Sequence, residues 1–331
     1  MKFRQTNLLI LIASFILTSN YAFAETSREF FEKGSGFLRE GNNDLAIESF
    51  TNALKLGIKD DYHQAVTYYG RGLAYSKKGE TEKAILDYSK TIELHRNYPD
   101  AYLNRGNEYL LKGDYEKAID DFTQNIIMKP DSVFAYNSRA LAYSNLKKYD
   151  SAISDLNIAI KLKNDYYKAH RNRAKIYYDM GKTEMAMRDI ATALEINSHD
   201  IGSYKLRSEI RYERQQYEMA LSDLSVALKF NPEQYEYYND AAWIMATCPN
   251  KDVRNAKKAI LLSEQAVKIC KNPTTMDTLS AAYAENGNFA EAVKTVEIAI
   301  TLIKKDSDPE ILSKLKKHLE SYKAGIPWRE N

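Results

Sequence analysis

Ala101-Tyr102-Leu103-Asn104-Arg105-Gly106-Asn107-Glu108-Tyr109, followed by Gly113-Asp114-Tyr115-Glu116-Lys117-Ala118-Ile119-Asp120-Asp121-Phe122 and then Lys129-Pro130, is one copy of a pattern that repeats along the chain. Its alanine returns at Ala84, Ala118, Ala152, Ala186 and Ala220, each 34 residues after the last. Flanking copies stand at Ala46, Ala259 and Ala292. A fixed period of this length marks stacked copies of one supersecondary unit, each too small to bury its apolar face alone.

With that alanine numbered 20, further columns emerge. Position 8 is small (Gly34, Gly72, Gly106, Ala140, Ala174, Ser208, Ala242, Ser280), and position 11 is mostly aromatic (Tyr75, Tyr109, Tyr143, Tyr177). Position 15 is a turn residue at Gly41, Gly79, Gly113, Gly181 and Gly287. Positions 4, 8 and 11 share one helical face, as do 20, 24 and 27. The glycine between the two runs suits the left-handed end of a first helix. Each unit therefore reads as a helical hairpin, with small residues at 8 and 20 for close helix approach and aromatics at 4, 11 and 24 filling the remaining space.

Position 7 is Arg71, Arg105, Arg139, Arg173 and Arg207, and position 23 is Asp87, Asp121, Asp155, Asp189 and Asp223. The units that lack the arginine lack the aspartate too. Charges that come and go together point to a ladder of Arg–Asp bridges between helices, because buried charges are partnered. A basic stripe for an anionic ligand is the other reading.

These columns resemble the tetratricopeptide repeat family over roughly residues 26–300. The resemblance implies an all-α, right-handed α-solenoid of about eight tetratricopeptide helical hairpins with a C-terminal capping helix. The units fall near 27–60, 65–98, 99–132, 133–166, 167–200, 201–234, 235–272 and 273–306, within a solenoid spanning 25–306. Residues 307–331 form the cap and tail. There Pro309 suits a first helical position, and Ile311, Leu312, Leu315, Leu319 and Tyr322 make an apolar stripe backed by Lys316, Lys317 and Glu320. The ending Ile326-Pro327-Trp328-Arg329-Glu330 is similar to the tail of some bacterial members.

Residues 1–24 read as a secretory signal peptide: Lys2 and Arg4, an apolar run from Leu8 to Leu17, and Ala22-Phe23-Ala24 before Glu25. The run is too short to span a bilayer, so the mature chain is expected to be exported to the periplasm, or secreted, without membrane insertion. The full chain has 47 Lys+Arg against 45 Asp+Glu, and the leader carries two of the cations, so the mature chain is neutral. That balance does not suggest a nucleic-acid partner. Cys248 and Cys270 read as buried thiols near opposite ends of the seventh unit's second helix, roughly 20 Å apart and beyond disulfide reach.

No catalytic or metal-binding motif stands out. Gly181-Lys182-Thr183 lacks the first glycine of a phosphate loop, since Ile176 holds its place. The five histidines are scattered, and no nucleophile sits in a recognisable setting. Neither a cofactor nor an enzymatic activity is expected. In the family, the first helices line a concave groove through positions 2, 5, 9, 12 and 13. Units three and four offer Leu103, Asn107, Leu110, Phe134, Asn137, Leu141 and Asn145 there. Units five to seven offer Arg171, Lys175, Tyr178, Lys205, Tyr212 and Trp243. Asparagine amides can grip a peptide backbone with both donor and acceptor, and cations beside tyrosine suit an acidic segment. The family's C-terminal-carboxylate clamp is not matched: Asn107 and Lys168 fit it, whereas Leu103, Ser138 and Asn172 do not.

The expectation is a non-catalytic scaffold binding a protein or peptide, with an acidic segment in the groove of units five and six. A solvated face of mixed polarity is the plain alternative for that groove, and core is the alternative for Trp243. A periplasmic holding chaperone for envelope proteins and an enzyme with an unrecognised site are the alternatives for the whole chain.

Overall fold

Gly113 ends a helix with φ +82°, its N–H donating to the Leu110 carbonyl and that of Asp114 to the Tyr109 carbonyl. This left-handed turn recurs at position 15 of every hairpin except the seventh, where Arg254 stands in a longer loop. Lys147 (φ 58°) and Gln215 (φ 59°) adopt it without glycine, at a steric cost of roughly 1–2 kcal/mol each. The fold holds that conformation against local preference, which shows that packing rather than the turn residue sets the hairpin.

The computed structural model describes residues 27–303 and 309–330; the leader expected at 1–24 lies outside them. The described residues are all-α and divide into two compact units. The first runs to Asp165 and holds α1 (27–40), α2 (Asn43–Lys55), α3 (Asp61–Lys77), α4 (Thr81–Leu94), α5 (Pro99–Lys112), α6 (Tyr115–Met128), α7 (Val133–Asn145) and α8 (Tyr149–Leu162). The second starts at Tyr166 and holds α9 (Tyr167–Asp179), α10 (Thr183–Ile196), α11 (Ile201–Glu213), α12 (Tyr217–Phe230), α13 (Tyr235–Thr247), α14 (Ala256–Ile269), α15 (Pro273–Glu285), α16 (Phe289–Thr301) and α17 (Pro309–Lys323). Within each unit the hairpins stack as a solenoid, each second helix also packing on the first helix of the next hairpin.

The core is built from the columns. Every alanine at position 20 is fully buried, and so are Tyr88 and Phe122 at position 24. Positions 8 and 24 are sterically coupled. A Cβ added at Gly106 would lie 2.7 Å from the Phe122 ring, and one at Gly72 2.8 Å from Tyr88. Where position 24 is aliphatic, as at Leu156, Ile190 and Leu224, position 8 carries the Cβ of Ala140, Ala174 and Ser208. Ring volume on one helix is matched by an absent side chain on its partner.

The ladder of charges is structural. Each arginine donates through Nε and Nη2 to both oxygens of the aspartate 16 residues on, at 2.7–3.0 Å. The aspartates are at most 7% exposed. Burial alone would raise Asp189, but Arg173, helped by His170, holds its carboxyl below the usual range. Arg71, Arg105 and Arg139 also donate through Nη1 to Thr51, Ser89 and Thr123 of the preceding hairpin, each at 3.0 Å. The bridges thus act within a hairpin and reach back to the one before it.

Two expectations, on the cysteines and on α17, need correction. The tyrosines at positions 4 and 11 have a double role: at position 11, Tyr109 packs on the cluster of Phe122 and Tyr177 on that of Ile190. Half-buried, the tyrosines of both positions also flank the guanidinium, ring centroids 5.2–5.9 Å from the arginine carbon, because the bridge occupies that face. Cys248 caps α13, the first helix of its hairpin, and Cys270 caps α14 and is only half-buried. A longer loop separates α13 from α14, tied by Arg254 donating to the Cys248 and Pro249 carbonyls. In α17 the expected Ile311 is 43% exposed, whereas His318, on the same face as Leu315 and Tyr322 but not expected in the stripe, is fully buried against Asp277.

The coupling of positions 8 and 24 is open to test by urea unfolding. Gly106→Ala is expected to cost about 1–3 kcal/mol through overpacking. Adding Phe122→Leu, which reproduces the Ala140–Leu156 arrangement, is expected to recover most of that loss, with a coupling of roughly 0.5–3 kcal/mol. Simple additivity would show that ring and glycine do not constrain each other.

Candidate functional site

The faces formed by positions 2, 5, 9, 12 and 13 of the first helices differ between the two units. In the first unit, α5 and α7 present an apolar face set with amides. Leu103 and Leu110 are half-buried, packed on the cluster of Ala118, Phe122 and Ala142. Leu111 is 77% exposed and Phe134 60% exposed, both out of proportion to their size and apolarity. Asn107 is half-buried between them in sequence register, and no hydrogen bond holds its amide among the described residues. Asn137 is buried, and Leu141 is half-buried. Asn145 is exposed, its amide donating to the Leu141 carbonyl at 2.9 Å. Asn104, one position off the face, donates to the Tyr69 hydroxyl at 2.9 Å and ties α5 to α3.

In the second unit every cation of the expected site has a carboxylate partner. Arg171 on α9 donates from Nη1 to Oδ1 of Asp200 at 2.7 Å. Asp200 is buried and is itself the N-cap of α11, accepting from the Ser203 backbone and hydroxyl. Gly202 makes room for this arginine: a Cβ there would meet Nη1 at 2.7 Å. Lys175 pairs with Asp179 one turn on and lies over the Tyr178 ring at 5.4 Å. The Tyr178 hydroxyl donates to Glu213 on α11, and burial together with that carboxylate pushes the phenol up. Lys205 pairs with Asp240 on α13 and, at 3.1 Å, with Glu209. Burial works against its charge, but the two carboxylates outweigh burial and push the ammonium up.

Arg171, Lys175 and Lys205 therefore occupy the expected face but carry no uncompensated charge there. Lys205–Asp240 and Tyr178–Glu213 are each 35 residues apart, one repeat plus one position. That register was readable in the aligned sequence, and Asn104–Tyr69 follows it in the first unit. Trp243 lines a cleft of about 180 Å³ with Lys205, Glu209, Tyr212 and Asp240, while its other side packs on the core. The Tyr212 hydroxyl donates to Glu330 of the chain's own tail, a contact no periodic reading anticipates. Among the described residues no group of His, Cys, Asp and Glu could hold a metal ion, and no helix is long and apolar enough to cross a membrane.

Comparison with known proteins agrees with this geometry. The family described as the ETO1 C-terminal domain matches residues 26–214. A tetratricopeptide repeat protein of Parabacteroides merdae ATCC 43184 is 15% identical, covering 89% of this chain and 99% of its own, with a TM-score of 0.55. The pilF protein of Pseudomonas aeruginosa is 16% identical, covering 67% and 99%, with a TM-score of 0.54. Yeast Tom70 is 18% identical, covering 85% and 60%, with a TM-score of 0.57. At these identities the likeness is one of fold.

The pairing of the cations separates their roles in stability. Arg171→Ala strands the buried Asp200 carboxylate and is expected to cost about 1–3 kcal/mol. Lys175→Ala removes an exposed pair and is expected to change stability by no more than about 0.5 kcal/mol. Thermal unfolding of the two variants checks this; equal losses would contradict a structural role specific to Arg171.

Proposed function

Because the chain belongs to the family of the ETO1 C-terminal domain, a tetratricopeptide-type fold, we propose that it is a non-catalytic scaffold holding an extended segment of another protein on the α5–α7 face of its first unit. A stack of hairpins with this fold is a protein-interaction scaffold. The finer reading, which face and which kind of segment, is supported chiefly by the exposure of Leu111 and Phe134 beside the unbonded Asn107 amide. Apolar side chains of a bound strand would cover the leucines and the phenylalanine. The amide offers a donor and an acceptor to the strand's backbone.

What favours this face over the one on α9 and α11 is electrostatic. An acidic segment at Arg171, Lys175 and Lys205 must first separate each cation from its carboxylate, whereas on α5 the pair of Asp100 with Lys129 sits two helical turns before Asn107, and Asn107 and Leu111 take part in no ion pair among the described residues. The amide also favours a defined strand over indiscriminate holding of unfolded clients, which needs apolar area alone.

Export is part of the proposal. The basic start, the short apolar run and the Ala22-Phe23-Ala24 site support cleavage before Glu25 and a working place in the periplasm. Sequencing the N-terminus of protein from a periplasmic extract should begin at Glu25; a chain retaining residues 1–24 in the inner membrane refutes it.

A photo-crosslinking residue placed at Leu111 should trap one predominant partner, whereas one at Leu86 on α4, itself 61% exposed, should not. Asn107→Ala combined with Phe134→Ser should lower the partner's affinity by at least roughly tenfold, about 1.4 kcal/mol, with the melting temperature little changed. Equal trapping at both positions counts against this face.

A further inference from the structure

The first-helix face of the second unit is already occupied. After α17, Gly325 turns the chain with φ +71°, and the Ile326 N–H bonds the Ser321 carbonyl at 3.0 Å. The following residues form neither helix nor strand and run along three successive first helices. The Glu330 N–H donates to the Thr247 carbonyl of α13 at 3.2 Å. Arg329 donates to the Ala246 carbonyl at 3.3 Å and pairs with Glu285 of α15. The Trp328 ring lies 4.4 Å from that of His318 and packs on the cluster that includes Met245 and Tyr322. The Glu330 carboxylate accepts from the Tyr212 hydroxyl of α11 and lies 3.6 Å from the Lys314 ammonium. One backbone bond and three side-chain slots are how an extended peptide is held in a groove.

The fit is incomplete in ways that favour exchange. The Trp328 indole N–H is buried with no partner among the described residues, and an unmade buried hydrogen bond is a penalty. Burial pushes the Glu330 carboxyl up, so its charge is held reluctantly. Ile326 is 58% exposed and adds little apolar burial. A cleft of about 180 Å³ lined by Tyr212 and Trp243 adjoins the Glu330 slot through Tyr212.

We infer that residues Ile326–Glu330 are a resident ligand of the second unit, and that the same slots take a segment of a partner protein presenting an aromatic, a guanidinium and a carboxylate in that order, by displacing the tail. The site is distinct from the α5–α7 face and stands independently of it. Tail occupancy sets its availability: a competitor's apparent affinity is its intrinsic affinity multiplied by the fraction of molecules with the groove open.

The probe is the synthetic peptide Ile-Pro-Trp-Arg-Glu-Asn, residues 326–331, with a fluorophore at its N-terminus. Anisotropy titrations should show it binding a chain shortened to end at Gly325 at least about tenfold more tightly than the full chain. In the shortened chain Tyr212→Phe and Glu285→Gln should each weaken binding severalfold, and a peptide with Arg and Glu exchanged should bind at least tenfold more weakly. A shortened chain that keeps its helical content but does not bind the peptide overturns the inference. If shortening unfolds the protein, the full chain decides. Hydrogen exchange in its residues 326–330 should accelerate when unlabelled peptide is added in excess, and unchanged exchange at saturating peptide overturns the inference.

Discussion

The ring of Phe122 lies so close to Gly106 that no side chain fits between them, and this contact sets the distance between the two helices of its hairpin. The alanine at position 20 is fully buried between the helices, and the bridge from position 7 to position 23 joins them on another face. A hairpin assembled this way still exposes one apolar flank, which the next hairpin covers. The fold is therefore held by short-range, repeated contacts, and positions can covary locally. Aromatic with glycine and aliphatic with alanine or serine are two solutions of the same steric problem.

The Arg–Asp bridges add direction rather than bulk. A bidentate guanidinium on a buried carboxylate fixes the relative rotation of two helices, and its third nitrogen reaches a hydroxyl on the preceding hairpin. Where that hydroxyl is missing the arrangement changes. Position 25 before Arg207 is Ala191, and in that hairpin Asp223 instead takes a second arginine, Arg211, at 2.6 Å. Arg211 stands where other units carry an aromatic. The substitution exchanges a tyrosine face for a second ion pair on the same carboxylate.

The hairpins were legible in the sequence because repetition reinforces every signal: a column is believed when it returns at one spacing. The same device disclosed the ladder, since Arg and Asp vanish from the same units. The charge state of the inner face was harder to read. Lys205 and Arg171 look like open cations when one helix is read at a time, because their partners, Asp240 and Asp200, lie on or at the start of the next first helix. Aperiodic parts were not legible at all. Nothing in Trp328-Arg329-Glu330 shows that its contacts lie 83 and 118 residues away, on α13 and α11. Cys248 was misplaced for the same reason: the loop it opens breaks the period.

In a repeat protein the polar groups of one unit are satisfied mostly by neighbours at fixed offsets, so the exceptions carry information. Asn104 meets Tyr69 and Lys205 meets Asp240 by the rule of one repeat plus one position. Asn107, on the same helix as Asn104, meets nothing among the described residues, and the Trp328 indole N–H is buried without a partner. Neither group is needed to hold a hairpin together: Asn107 lies half-buried on the α5–α7 face, where an extended strand can reach it, and the indole belongs to the tail whose displacement opens the second site. An unmet hydrogen bond on a scaffold whose other bonds are made by register is a place where binding another chain lowers the free energy. The stability of the hairpins and the capacity to bind thus rest on different residues, so the inner faces can change partner without disturbing the columns that build the fold.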